Sequence, residues 1–114
     1  MTEKALAARF RPLLEAELAE LRAQSEMRAD DRAPVTLDQQ SVGRLSRMDA
    51  IQSQAMAQAT EKRRHQRMAQ IEAAFRRMEA GEYGYCASCG EAIAEKRLAA
   101  DPAAHLCVGC SKGR

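Results

Sequence analysis

The sequence contains no Trp, two Phe and two Tyr in 114 residues. Aromatic side chains supply much of the buried area of ordinary cores, so their scarcity argues against a deep globular core. No apolar run approaches the ~20 residues that a membrane-spanning helix needs. The opening MTEKALAARFRPL has an early Glu and no uninterrupted apolar block, so it does not read as a secretory signal. A strong charge of either sign is missing too: the formal net charge is +2. Direct nucleic-acid binders normally carry a marked basic excess. Four zinc-bound thiolates would bring the sum to about zero.

What is present points to helices. Charged residues make up 30 % and Ala is frequent, a composition of long helices or a coiled coil in one domain's length of chain. Residues 3–28 are mostly strong helix formers. Leu6, Phe10, Leu14, Leu18 and Leu21 recur at helical spacing, and Leu13 widens the apolar face. Pro12 interrupts this pattern and predicts a kink or a helix that restarts there. The stretch ADDRAPV, 29–35, suits a turn, because Pro34 disfavours helix at Ala33. Thr36 and Gln39 then form a capping-box pattern that starts a second helix at Leu37.

From Leu37 to Met78 the one strong breaker is Gly43, giving a helix on the order of 60 Å long. Leu45, Met48, Ala55 and Ala59 form one stripe on it, and Met68, Ile71, Phe75 and Met78 another. Between the stripes TEKRRHQR holds Lys62, Arg63, Arg64 and Arg67. Gly81 marks the stop. Two helices joined by a short turn near 29–36 pack antiparallel. The expected fold is mainly α: a helical hairpin (coiled coil) over 1–80 and a small C-terminal module over 81–114.

That module holds all four cysteines, as Cys86-x2-Cys89, seventeen residues, then Cys107-x2-Cys110. In a reducing cytoplasm, the expected location, such a cluster binds metal rather than forming disulfides. Four thiolates suit one tetrahedral Zn²⁺ and leave no open coordination position, so the zinc is structural. Gly90 and Gly109 give the backbone freedom to turn N–H groups toward the sulfurs. His105 reads as a residue at the surface or beside the ligands rather than as a ligand itself. Ile93, Leu98 and Leu106 offer a core too small to fold without metal. No nucleophile–base pair, phosphate loop or open metal site indicates an enzyme.

Gly84-Tyr85-Cys86-x2-Cys89-Gly90, then Ile93, Arg97-Leu98, Ala100, Pro102 and Leu106-Cys107-x2-Cys110, closely resemble the C4 zinc finger of the DksA/TraR family. Phe75, Met78, Gly81 and Tyr83 resemble the family's lead-in to the finger, and Leu6 to Leu21 its first coiled-coil helix. The resemblance implies a bacterial transcription regulator. Such a protein binds RNA polymerase directly through its secondary channel, does not bind DNA, and often cooperates with guanosine tetraphosphate. The family's tip motif is Asp-x-x-Asp-x-Ala. Here Asp31-Arg32-Ala33 matches its second half, with Arg28 in the place of the first Asp. At the usual distance from Cys86 the sequence reads GRLSRM, 43–48, without an acid, while Asp38 and Asp49 lie nearby.

The candidate partner-binding residues are therefore Asp31, Asp38 and Asp49 at the tip, and the belt Lys62, Arg63, Arg64 and Arg67. Two other functions remain open. The belt could contact nucleic acid or an acidic protein surface, or the thiols could sense oxidation by releasing zinc.

Overall fold

A computed structural model describes residues 3–28 and 44–112, with side-chain burial described from residue 47 in the second helix. Helix α1 spans Glu3–Met27 and helix α2 spans Arg44–Glu79. They lie antiparallel: Arg67 of α2 pairs with Glu17 of α1, and Ser25 of α1 bonds to Glu61 of α2. The turn expected near 29–36, the capping box at Thr36 and the start at Leu37 lie outside the described residues. Two short helices follow, α3 (Glu95–Ala100) and α4 (Val108–Lys112). The molecule measures 64 × 30 × 20 Å, the proportions of a hairpin on a small base.

Helix α1 runs unbroken through Pro12, so it does not restart there. Proline removes one backbone hydrogen bond and costs about 3 kcal/mol inside a helix. Pro12 and Ala8, whose carbonyl loses its partner, both face solvent, where water can satisfy the oxygen. On the opposite face, Phe10 and Leu14 are buried on either side of the break. Their burial, at about 1.5–3 kcal/mol each, offsets the defect. Leu13 does not widen the packed face; it is 57 % exposed.

Packing in α2 follows a seam spaced alternately by three and four residues: Arg47, Ala50, Gln54, Ala57, Glu61, Arg64, Met68, Ile71, Phe75 and Met78 are all fully or partly buried. That is the 3.5-residue period of a coiled coil. The lower stripe, Met68 to Met78, matches the sequence reading. The upper one does not: Met48, Ala55 and Ala59 are exposed, while the Leu45 side chain lies outside the described residues. The inward positions there are small or polar, because the register set by Ile71 below carries upward whatever residues occupy it. Glu61 is buried in this polar stretch and accepts from the Ser25 hydroxyl, with Arg64 at 3.7 Å and His65 at 3.3 Å.

Gly81, at φ 74°, stops α2. Its N–H reaches the Met78 carbonyl (3.3 Å) and the Glu82 N–H reaches Arg77 (2.8 Å), two bonds that cap the last turn. The core is one cluster: Phe10, Leu14 and Leu18 from α1, Ile71 and Ala74 from α2, then Tyr83, Ile93, Leu98, Ala103 and Ala104 beyond Gly81. Leu106 packs against its edge. The small apolar set of the C-terminal module is thus continuous with the base of the hairpin. Among the described residues no helix is long and apolar enough to cross a membrane.

Candidate metal centre

The chain leaves α2 through Gly81 and enters a tight knuckle. Tyr85 and Ala92 form an isolated antiparallel bridge. It is flanked by Cys86 N–H to Glu91 carbonyl and Ile93 N–H to Gly84 carbonyl, each 2.7 Å. Gly84 adopts φ 89°, and a Cβ there would stand 2.9 Å from Leu6 Cδ1. Only glycine lets the knuckle press this closely on α1. Gly109 differs from expectation: it lies within α4 and has no positive φ.

The two cysteine pairs meet between the knuckle and the start of α4. Their four sulfurs all lie within 4.8 Å of one another, and Cys89 and Cys107 are 3.8 Å apart. A tetrahedral Zn²⁺ with bonds of about 2.3 Å would place its sulfurs about 3.8 Å apart, so the set fits that ion. None of the four is in a disulfide. Backbone N–H groups of Ser88 (3.4 Å) and Cys89 (3.5 Å) point at Cys86 Sγ, and that of Cys110 (3.4 Å) at Cys107 Sγ. Such donors favour thiolate charge.

The thiols are unequal. Hydrogen bonds from the Cys89 and Cys107 backbones hold Cys86 down to about 6. The neighbouring sulfurs of Cys107, Cys86 and Cys89 push Cys110 up to about 12. Sulfurs this close cannot all ionise without a cation to offset their repulsion, which is what a bound Zn²⁺ supplies. Among the described residues no His, Asp or Glu joins the cluster. His105 is exposed, and its carbonyl accepts from the Ala87 N–H at 2.8 Å.

The other sequence candidates are scattered. Asp31 and Asp38 lie outside the described residues, while Asp49 is exposed on α2. The belt splits: Lys62 and Arg63 face solvent, whereas Arg64 lies against Glu61. Arg67 binds Glu17 with two nitrogens (2.6 and 3.0 Å) and Asp101 with a third contact (2.9 Å). Those partners hold the Arg67 guanidinium firmly protonated. One side chain thereby ties α1, α2 and the C-terminal module together. Four polar residues that sequence reasoning did not single out as bracing this module complete the support: Arg77, Tyr83, Arg97 and Asp101. Their signal was faint, because Arg77, Tyr83 and Arg97 act on backbone carbonyls, which no sequence pattern marks.

The architecture defines a class, a helical hairpin with a four-cysteine zinc module packed on its base. Residues 81–113 match the prokaryotic dksA/traR C4-type zinc finger. The chain is 44 % identical over 43 residues to the RNA polymerase-binding transcription factor DksA of Haemophilus influenzae, covering 38 % of this chain and 30 % of that one. Against the protein of the same name from Escherichia coli it is 45 % identical over 40 residues, 35 % and 26 % of the two chains. These matches span less than a third of either curated relative. The fold likeness reaches further. The structure of transcription factor DksA2 from Pseudomonas aeruginosa aligns with a TM-score of 0.76 at 25 % identity, over 96 % of this chain and 82 % of that one. The C-terminal finger is therefore similar to that of the DksA/TraR proteins, the chain as a whole has the fold of DksA2, and its cofactor is zinc.

Proposed function

We propose that this protein is a non-catalytic transcription regulator that binds RNA polymerase and inserts its hairpin into the secondary channel. Cys86, Cys89, Cys107 and Cys110 hold one structural Zn²⁺. The hairpin, 1–80, is the reaching part, and the finger, 81–114, is its base. The observation that carries this reading is the near whole-chain likeness to transcription factor DksA2. Relatives named for polymerase binding match over 43 and 40 residues of the chain.

The physical case is one of shape. The described part of α2 has 36 residues, about 54 Å of helix, on a molecule only 20 to 30 Å across. Such a rod can enter a channel that a globular domain cannot. Its packed end, around Ile71, Phe10 and Leu14, is anchored to the finger, so the finger fixes the direction in which the rod points. The zinc supplies folding free energy that a module this small lacks. Direct nucleic-acid binding through the basic belt is the weaker reading. Arg64 and Arg67 are engaged within the protein, leaving Lys62 and Arg63 as the solvent-facing pair, too few to track a phosphate backbone.

The test is titration of fluorescently labelled, zinc-loaded protein with bacterial RNA polymerase core enzyme, with and without guanosine tetraphosphate. Binding near or below about 1 µM (~8 kcal/mol), displaced by an established secondary-channel factor, is the expected result. No binding at ten times that concentration, or binding the competitor does not displace, refutes the proposal.

A further inference from the structure

Five consecutive backbone carbonyls, Pro102 to Leu106, accept hydrogen bonds from outside their own segment. The buried Tyr83 hydroxyl donates to Pro102 (2.7 Å). Arg77 Nη2 of α2 donates to Ala103 (3.3 Å) and, more loosely, to Ala104 (3.5 Å). The Ala87 N–H, in the first knuckle, donates to His105 (2.8 Å), and Arg97 Nε of α3 to Leu106 (2.7 Å). Upstream, Asp101 accepts from Arg67 of α2 (2.9 Å) and from the Ala103 N–H (3.1 Å). The next residue in the chain is Cys107.

This strap has no regular structure of its own between α3 and α4. Ala103 and Ala104 are buried, so those carbonyls lie where an unmade bond is costly. The strap's path is thus set by what grips it, and much of the grip comes from the hairpin. Arg77 is well placed for this. Its guanidinium is partly desolvated, which lowers its pKa from the ordinary value, and it has two carbonyls as acceptors.

We propose that Arg77 is a positioning residue for the zinc site. Together with Tyr83 and the Arg67–Asp101 pair, it holds the 102–106 strap so that Cys107 and Cys110 meet Cys86 and Cys89, and it makes zinc retention and hairpin stability mutually dependent. This rests on the reading of the four cysteines as the ligands. Metal binding draws its strength from ligands already in place, and a coupling between two sites is reciprocal. Freeing the strap therefore loosens the metal, and removing the metal frees the strap and weakens the part of the hairpin that Arg77 holds.

The experiment uses the full chain as wild type, Cys107→Ser, Arg77→Met and Tyr83→Phe. Zinc content comes first. One zinc per wild-type chain, lost in Cys107→Ser, secures the ligand reading; full zinc in that variant overturns it and with it this proposal. Zinc transfer to an excess of a chromophoric chelator is then timed. Loss of these hydrogen bonds predicts release about fivefold faster from each of Arg77→Met and Tyr83→Phe. Thermal melts followed by circular dichroism separate positioning from bulk stability. Arg77→Met lowers the melting temperature more in zinc-loaded than in chelated protein. Release within twofold of wild type in both variants overturns the proposal, as does an equal melting loss with and without zinc. Where Arg77→Met does not fold, Tyr83→Phe, which removes one hydroxyl, decides by the same two readings.

Discussion

Replacing Ile71 by Ala tests whether the packed base holds the hairpin together. Ile71 is fully buried in the cluster it shares with Phe10, Leu14 and Tyr83. Truncating a buried Ile to Ala removes transfer energy and leaves a cavity, costing about 2–5 kcal/mol. Small domains hold only about 5–15 kcal/mol in total. At about 2.1 cal/mol/K per residue, 114 residues give an unfolding entropy near ~0.24 kcal/mol/K, so each kcal/mol moves Tm by about 4 °C. The expected loss is therefore about 8–20 °C. Met56→Ala is the control. Met56 is 71 % exposed on the same helix, and surface changes of this kind stay within about 0.5 kcal/mol, or ~2 °C. Both variants are melted as zinc-loaded protein, following helical circular dichroism. A loss below about 4 °C for Ile71→Ala, or equal losses for the two, would refute the reasoning, because the hairpin would then owe little to its packed base.

Three further expectations follow from the site. Burial pushes the Tyr83 phenol up to about 12 from an ordinary value near 10. Its contribution to stability is complete below about pH 10 and lost as pH rises through about 12. Phenolate absorbance should show one tyrosine ionising together with loss of helix, and a Tyr83 that ionised near pH 10 with the fold intact would contradict this. Gly84→Ala should lower Tm by more than Gly90→Ala. Both positions have positive φ, but a Cβ at 84 would meet Leu6 at 2.9 Å whereas nothing stands within 4 Å at 90; equal losses would show that the contact does not matter. Zinc uptake near pH 7 should release protons, since Cys110 is pushed up to about 12 in the free thiols, and acid should strip the metal by protonating the thiolates. Undiminished zinc content after equilibration with a weak chelator at about pH 4 would contradict the thiolate assignment.

The parts of the fold driven by apolar burial were legible in the sequence. Phe10, Leu14, Leu18 and Ile71 announced their faces by spacing alone, and all are buried. Gly81 marked the helix stop, and its positive φ is why. The cysteine module was legible because two Cys-x-x-Cys turns restrict the chemistry so strongly. The upper seam was not. Gln54, Glu61 and Arg64 occupy inward positions, and a search for apolar periodicity passes over polar residues. It chose Met48, Ala55 and Ala59 instead, which face out. Pro12 misled in another way. A local rule predicted a break, but an exposed defect flanked by buried Phe10 and Leu14 is carried by packing. The belt at 62–67 reads as one patch in sequence, and only the partners of Arg64 and Arg67, which come from other turns and other elements, divide it. The grip on the 102–106 strap was invisible for the same reason, since its acceptors are backbone carbonyls that every sequence possesses.

If the hairpin enters the polymerase secondary channel as proposed, its distal half must lie against channel-lining residues while the finger stays outside. The most direct measurement places a photo-crosslinking amino acid at Met56, exposed on the distal half of α2, and a second at Lys96, exposed on the finger. Each zinc-loaded protein is irradiated with polymerase core enzyme, and the crosslinked peptides are identified by mass spectrometry. Channel-lining peptides from Met56 and peptides at the outer mouth from Lys96 are the expected result. Crosslinks from Met56 confined to the outer surface of the enzyme, or no crosslinks from either position, would contradict it.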